Sequence, residues 1–555
     1  MESSFYRHAT VVSIAITMAL VSHAAHAADD QFTIKRFDIV GNRLLSQGDI
    51  DAAVGSSVGP DKTFGSIQKA LEALEAAYRS RGFSAVRVSV PEQELTSGVV
   101  RIEVVESTID KVVVTGNSYF DTANIRASLP PLQEGQTPNL QKISAAIQLA
   151  NENFAKQVEV TLASTDIDGR VDAKVAVTDS KPFHITATLD NSGTKSSGKY
   201  RTGVALQYAN FFGRDQVGTF AYTTSPDSPS GVHVNLFSIG YRIPLYALGD
   251  SIDLIYGSSS VNSPSGSPTL GGILGIVGKG SVAGLRWNHL LARRGEFTSK
   301  IVTSIDRKYI NSRCSVNGVE ISFAPPTPPI SACVPYTVMP IAVTYSGRHQ
   351  SAGQLLDGSI GIERNLATGT AYTNVSGRND RYSYLTPGNR DTRDNFTVLH
   401  ASASWFKVYA NDWQTRVAVS AQAASDPLVS AEQFGLVGAA AVRGFSERAV
   451  AADGGTIVNA ELYTPDLAGK LGVPGALRML AFYDIGRGYN RNVGNAAASS
   501  VPSHVSVASA GVGLRYSIGK DVDMRADVAR VNNPGNSTTE SRGVWKAHIA
   551  IVVGI

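Results

Sequence analysis

From Phe183 onward the chain is written as ribbons of about ten residues in which small or apolar side chains alternate with polar ones. In Asp521–Val528, Val522, Met524, Ala526 and Val528 share one face, while Asp521, Asp523, Arg525 and Asp527 share the other. Ala510, Val512, Leu514, Tyr516 and Ile518 oppose Gly511, Gly513, Arg515 and Ser517 in the same way. Trp545, Ala547, Ile549, Ile551, Val553 and Ile555 oppose Lys546, His548 and Ala550. Such a period of two belongs to strands with one apolar face, and helical spacing nearly vanishes over this stretch. A sheet of this size must hide its edges, and closing it into a barrel removes them. Alternation does not say which face is inside. A soluble sandwich buries the apolar side, whereas a membrane barrel turns it to lipid around a hydrated, charged lumen.

Residues 1–27 favour the second arrangement. Arg7 and His8 form a short basic start, Ala9 to Ser22 is uncharged and apolar, and Ala25-His26-Ala27 is a small-x-small cleavage site. The chain therefore reads as exported. Beyond residue 28 no apolar run reaches the ~18 residues that a spanning helix needs. Aromatic residues at strand ends (Tyr200, Tyr208, Tyr516, Trp545) also suit a barrel. The ribbons number about sixteen, even as bacterial barrels require. They start near 183, 199, 215, 232, 249, 277, 296, 340, 353, 393, 412, 455, 476, 504, 521 and 543. Connections at Phe212–Arg214, Tyr246–Gly249, Arg293–Glu296 and Ser517–Lys520 are short; those at Asn262–Ile276, Asn311–Met339, Ala367–Asp391 and Ala424–Gly454 are long. Short turns on one rim and long loops on the other are what inner and outer faces demand.

Residues 32–180 read as two copies of one β-α-α-β-β unit, each about 75 residues and too small for a deep pocket. The first opens with an alternating strand ending in Gly41-Asn42, followed by a main helix over Phe64–Arg81 with Gly82 at its C′ position. Ile67, Ala70, Leu71, Leu74, Ala77 and Tyr78 form the apolar stripe of that helix. Strands at Ala85–Val90 and Val99–Val105 close the unit. In the second copy Ile109–Thr115 again ends in Gly116-Asn117; a helix is expected over Leu140–Phe154, with strands at Val158–Leu162 and Val171–Val177.

Little in the chain suggests an enzyme. Net charge is only +3, which argues against nucleic acid. Metalloprotease, phosphate-loop and nucleophile-elbow patterns are missing from the sequence. Gly275-x-x-Gly278-Lys279-Gly280 lacks the Ser or Thr that should follow its lysine. No cofactor, metal or nucleotide is expected. Cys314 and Cys333 flank a Pro-rich segment and, in an exported chain, suggest one loop-closing disulfide. Two features remain. Val442-Arg443-Gly444-Phe445 lies in a polar loop between strands, and Phe482-Tyr483-Asp484-Ile485-Gly486 follows on a later one. If Met479, Ala481, Tyr483 and Ile485 face lipid, then Phe482, Asp484 and Gly486 face the lumen, where Asp484 can meet Arg443. Glu461, inward with Asn459 on the preceding strand, is a second candidate partner.

These features together resemble the TpsB family, the outer-membrane transporters of two-partner secretion and relatives of the barrel assembly insertases. The resemblance covers nearly the whole mature chain. It rests on Arg81-Gly82-Phe83, Val90-Pro91-Glu92-Gln93 and Gly98–Val104 in the first repeat, and on Asp190-Asn191-x-Gly193, Glu432-Gln433-Phe434 and the two loop and strand motifs. It implies a mainly β protein: signal peptide 1–27, POTRA domains at 32–107 and 108–181, and a sixteen-stranded transmembrane antiparallel barrel at 182–555. Loop six, near 424–454, would fold back into the lumen with Arg443 held by Asp484. Three departures stand out. Phe32 follows Ala27 too closely for the usual plug helix, so gating would fall to loop six and the other loops. The second repeat has Asn151-Glu152-Asn153 where the family often has Asn-Pro, and the chain ends in Ile555 rather than an aromatic residue.

The function implied is not enzymatic. The POTRA domains would bind a large, unfolded, exported TpsA-like partner in the periplasm, and the barrel would pass it to the cell surface. A groove beside Leu140, Ile143, Ile147 and Phe154 is the implied docking face. Other expected partners are outer-membrane lipid and, during biogenesis, periplasmic chaperones and the barrel assembly machinery. Three rivals make different demands. An assembly insertase would carry more repeats, a passive porin would need none, and a surface adhesin would carry its binding mass outside.

Overall fold

The computed structural model describes residues 31–230, 232–260, 279–312, 315–316, 319–320, 324–328, 330–495 and 501–554; the expected signal peptide, Cys314 and Ile555 lie outside the described residues. Two compact units are present. One runs to Arg81 and resumes over Val86–Glu106; the other takes Gly82–Ala85 and everything from Ser107 on.

The first unit contains β1 (Phe32–Ile34), β2 (Arg36–Val40), α1 (Gln47–Val54), β3 (Gly59–Lys62), α2 (Phe64–Ser80), β4 (Val86–Ser89) and β5 (Val99–Glu106). Its sheet runs β2-β5-β4, with β2 parallel to β5, and β1 pairs with β3 in a separate ribbon. Helix α2 buries Ile67, Ala70, Leu74 and Tyr78 as its periodicity predicts, and the residue after its Arg81 cap, Gly82, has φ +89°. In the second unit β6 (Thr108–Thr115), α3 (Thr122–Ser128), α4 (Leu140–Ala150), β7 (Lys156–Ser164) and β8 (Arg170–Asp179) repeat the plan, in sheet order β6-β8-β7.

The recurrent Gly-Asn has one physical cause in both copies. Gly41 has φ +92° and a Cβ there would sit 2.2 Å from the carbonyl oxygen of Val104; Gly116 has φ +84° and would meet that of Val177 at 2.3 Å. Only glycine allows the strand to cross its parallel neighbour so closely. The asparagine then pins the turn: Asn42 donates to Leu45 O at 3.0 Å and Asn117 to Phe120 O at 2.8 Å. Helix α4 is shorter than expected. It stops at Ala150 because Asn151 turns its side chain onto the backbone of Val158, accepting from N at 2.7 Å and donating to O at 3.0 Å. Phe154 therefore lies in the following turn, not on the helix.

Sixteen antiparallel strands close the barrel. They are β9 (Phe183–Asp190), β10 (Arg201–Phe211), β11 (Gln216–Thr224), β12 (Leu236–Leu245), β13 (Asp250–Ser259), β14 (Gly280–Leu290) and β15 (Phe297–Ile310). Next come β16 (Tyr336–Val338 resuming as Pro340–Ser351), β17 (Gln354–Asn365), β18 (Thr397–Val408), β19 (Gln414–Ala424) and β20 (Gly454–Tyr463). The last four are β21 (Ala476–Tyr489), β22 (His504–Ile518), β23 (Val522–Asn533) and β24 (Trp545–Gly554). The starts follow the expected ribbons, with the largest departures at Leu236, Tyr336 and Thr397. The seam between last and first strand is short, pairing Ala550–Gly554 with Asp190–Thr186. Asn191 extends it, donating to Ala547 O and accepting from Ile549 N, both at 2.9 Å, which gives the Asp190-Asn191 motif a structural role.

The outside of the barrel is the apolar face. Val512, Val528, Met524, Ile549, Ile360, Ile362, Tyr483 and Trp545 all stand exposed on it. Their neighbours along each strand point inward and pair across strands: Arg242 with Asp253 at 2.7 Å, Arg348 with Asp357 at 2.5 Å, Arg515 with Asp527 at 2.9 Å. An apolar belt around a charged interior is stable only with lipid outside. Val512→Arg, mid-strand on that belt, should therefore cost ~2–4 kcal/mol of insertion stability; comparing urea unfolding in lipid vesicles with the parent chain measures it, and an unchanged midpoint would contradict the orientation.

The second repeat is fastened to the inner rim of the barrel. Lys156, at the start of β7, forms a fully buried ion pair with Asp215 in the β10–β11 turn, and Tyr246 adds a hydrogen bond to the same carboxylate at 2.7 Å. Asn124 donates to Gly213 O at 2.7 Å, Asn153 to Ala209 O at 2.8 Å, and Arg242 reaches Glu152 at 3.0 Å.

Candidate functional site: loop six on the lumenal wall

Strand β21 shows the inversion residue by residue. Met479 and Tyr483 are exposed outward, while Leu480, Phe482, Asp484, Gly486 and Gly488 alternate with them and are buried. Leu480 packs with Phe482, Ala529 and Tyr463 of the wall, whereas Phe482, Asp484, Gly486 and Gly488 are covered by the sixth external connection, residues 425–453, which folds back and lies against them. Leu436, Val437, Val442, Phe445, Val450 and Ala452 of this loop pack with Ile457, Val505, Val507 and Val531 of the wall.

At the loop's deepest point Arg443 meets the residues its pattern predicted. Its Nε and Nη2 donate to the two carboxylate oxygens of Asp484 at 2.7 and 2.8 Å, and its own backbone N–H reaches Asp484 at 3.2 Å. The remaining nitrogen, Nη1, lies 2.8 Å from Glu461 and 3.7 Å from Asp527. The guanidinium carbon sits 3.5 Å from the centroid of the Phe482 ring. Asn459 ties the arrangement together, donating to Asp484 and to Ala441 O at 2.8 and 2.9 Å. Arginine alone can do this, because its fork serves two carboxylates while its face stacks on an aromatic ring.

Sequence reasoning did not assign three further contacts. Asp527 is the third carboxylate, held also by Arg515. His548 accepts from the backbone N–H of Gly444 at 3.0 Å. Ser446 donates from N and Oγ to Glu540, in the connection after β23, at 2.8 and 2.7 Å, and Lys546 joins at 3.0 Å. Burial alone would raise the Glu540 carboxyl, but hydrogen bonds from Thr539, Ser446 and Lys546 outweigh it and hold it at about 2. The alternating pattern placed Asp527 and His548 on the inward face; only the path of the loop says which inward residues it meets.

Two glycines make the close fit possible. Gly444 has φ +92°, and a Cβ there would lie 3.1 Å from that of Ala529. A Cβ at Gly486 would come within 2.9 Å of Val507 and 3.2 Å of Val442. Gly486→Val should thus lift Val442 from the wall at ~1–3 kcal/mol, the usual cost of overpacking. Protease cutting within loop six of the folded barrel should rise, and an unchanged digest would show that the contact is slack.

Other expected site residues are divided. Leu140 and Phe154 are exposed, as a docking face requires, but Ile143 is buried and Ile147 packs against the same core with Phe120, Ile125 and Val158. The helical stripe that suggested a groove is the stripe that holds the second repeat together. Cys333 sits buried in a short 3₁₀ turn, Ser331–Cys333, and is disulfide-bonded.

A family model described as haemolysin secretion/activation protein ShlB/FhaC/HecB matches residues 169–516, more than half of the chain. The chain belongs to this family. Its membership accounts for both repeats as well: residues 32–107 match a POTRA domain of ShlB type, and residues 107–179 a surface antigen variable number repeat of POTRA class. The outer membrane transporter CdiB-2 of Burkholderia pseudomallei is 27% identical over 26% of this chain and 25% of its own. The chain thus spans about a quarter of the length of that curated relative in the match. The heme/hemopexin transporter protein HuxB of Haemophilus influenzae is 18% identical over 94% of this chain and 87% of its own. The solved structure of CdiB from Escherichia coli superposes with a TM-score of 0.72 at 18% identity, covering 97% of this chain and 93% of that one. The likeness to CdiB establishes the fold: POTRA domains followed by a sixteen-stranded barrel.

Proposed function

We propose that this family member sits in a bacterial outer membrane, POTRA domains in the periplasm, and passes one large exported polypeptide to the cell surface by two-partner secretion. The observation that carries the reading is the docking of loop six. A long loop packs on one wall of a hydrated barrel, with one buried arginine at its turn shared among Asp484, Glu461 and Asp527. Ordering such a loop costs conformational entropy, which the buried pairing and packing at Arg443 offset. The second POTRA domain, locked to the rim, would hand the client to the lumen. Leu140 and Phe154 are the exposed apolar anchors for it, and the strand edges at β6 and β7 offer backbone pairing that does not depend on client sequence. Cys314 is the proposed disulfide partner of Cys333, closing an external loop.

The test is genetic and biochemical together. An adjacent reading frame should encode a very large, exported, repeat-rich protein, and deleting this chain should leave that protein in the periplasm. Normal arrival of the neighbour at the surface without this chain would end the proposal.

A further inference from the structure

The turn of loop six that carries Arg443 lies on the wall formed by β20–β24, while Glu432, nearer the start of the loop, pairs with Lys308 of β15 at 2.9 Å. Across the lumen, the inward faces of β15–β19 are lined by Thr298, Lys300, Ser346, Ser359, Ser402 and Ser420 and bound a cavity of about 610 Å³. Gln148 and Glu152 of the second POTRA domain line it as well, so the cavity begins where that domain meets the rim. At its outer end the same wall is roofed. Val338, Val398 and Ala424, at the outer ends of β16, β18 and β19, pack beneath Tyr382, Phe396, Leu428 and Val429 of the connections following β17 and β19.

Arg393–Asp426 at 3.0 Å and Lys308–Glu432 at 2.9 Å help to hold this roof, and the most deeply buried of its ion pairs is Arg390–Asp453. Arg390, in the connection after β17, donates to both oxygens of Asp453 at 2.6 and 3.1 Å, and both side chains are wholly buried. Asp453 ends loop six. It also accepts from the backbone of Leu428 at 3.0 Å, from Gln433 at 3.1 Å and from the backbone of Arg491 at 2.8 Å. Arg390 donates in turn to Arg491 O at 2.7 Å. Three external connections therefore converge on one carboxylate, ten residues beyond Arg443 in loop six and sharing no partner with it.

We propose that the hydroxyl-lined inner half of the β15–β19 wall is the track for an extended, unfolded polypeptide, and that the Arg390–Asp453 pair latches the loop roof over the outer end of that wall. The inference rests on the transport reading above. An extended chain carries unpaired N–H and C=O groups along its length, which a passing surface must satisfy without gripping any sequence. Serine and threonine hydroxyls both donate and accept, and they are short enough to leave room for varied client side chains. Besides Lys300, the charged side chains of this wall meet partners, Arg348 with Asp357 at 2.5 Å, Arg416 with Glu461 at 3.2 Å and, further out, Lys308 with Glu432 at 2.9 Å and Glu363 with His400 at 3.5 Å, which weakens their hold on a charged client. The opposite wall offers no such surface while loop six lies on it. A client reaching the roof must break the latch, whose release trades buried charge pairing for solvation.

Full-length chain in planar lipid bilayers tests both parts by ion current, without any partner protein. Arg390→Ala should raise open probability by about tenfold or more over the parent. Because losing the guanidinium leaves Asp453 unpaired, Arg390→Met with Asp453→Asn serves as a second variant and should show the same rise. In the unlatched background, a cationic methanethiosulfonate reagent should cut the current of Ser402→Cys and Ser346→Cys and leave Ser509→Cys, behind loop six, unchanged. An unstructured serine- and asparagine-rich peptide, added on the POTRA side, should block the same current. Correctly folded unlatched variants with parental current would overturn the latch. Block at Ser509→Cys but not at Ser402→Cys, or no block by the peptide, would overturn the track. Secretion that fails for the parent strain would sink the transport reading instead, since the current assay does not depend on it.

Discussion

Arg443→Ala is expected to abolish surface delivery of the exported partner while the barrel still folds and inserts. The arginine makes two bonds to Asp484, contacts Glu461 and Asp527, and stacks on Phe482; its loss leaves three carboxylates facing one another around a void. Breaking a buried pair by removing one partner costs ~3–5 kcal/mol. At ~1.4 kcal/mol per tenfold, the docked population of loop six should fall by roughly two to four orders of magnitude. None of this energy lies in the strand ladder, so heat-dependent gel mobility of the barrel should remain parental. Asp484→Ala should resemble Arg443→Ala, and the double variant should lose little more than either, because both remove one shared interaction. Fully additive losses would show that the two residues act apart.

The second large effect is expected at the joint between the second POTRA domain and the rim. Lys156 and Asp215 are each essentially unexposed, and burial pulls the Lys156 ammonium below its ordinary range despite the aspartate beside it. Phe120 and Tyr246 flank the ammonium at 5.3 and 6.0 Å. Lys156→Ala strands Asp215 in that setting and should cost ~3–5 kcal/mol of docking energy. The domain should then loosen from the barrel, with faster amide exchange across β7 and the β10–β11 turn. Secretion should drop because the client is no longer delivered to the cavity mouth at Gln148 and Glu152. Lys156→Met combined with Asp215→Leu should restore much of the joint, since apolar replacement of a buried pair is often neutral or better. Slow exchange in Lys156→Ala equal to that of the parent would show that Asn124, Asn153 and Arg242 hold the joint without the ion pair.

Much of this molecule was legible in its sequence, for identifiable reasons. Period-two alternation places every residue of a strand on one of two faces, so Asp484, Glu461, Asn459 and Phe482 could be sent inward from the pattern alone. The Gly-Asn turns marked both repeats because a crossing strand excludes any Cβ. Distances between faces were not legible. Ile143 and Ile147 lie on the face of α4 that packs into its own domain, and the end of that helix at Ala150 depends on Asn151 reaching Val158, seven residues on. Arg390 and Asp453 occupy connections with no periodicity, and their meeting depends on how three loops fold over one another. Lys156 lies ahead of the strand expected at Val158–Leu162 and carries no signal in the sequence; its burial follows only from the docking of a domain onto a rim.

The central claim, one conduit serving one exported client, is tested most directly by the breadth of what disappears. Quantitative comparison of surface and outer-membrane proteins in cells with and without this chain should show loss of a single large surface protein, restored by the parent chain and not by Arg443→Ala. Depletion of many unrelated outer-membrane barrels, or a surface unchanged in every component, would contradict it.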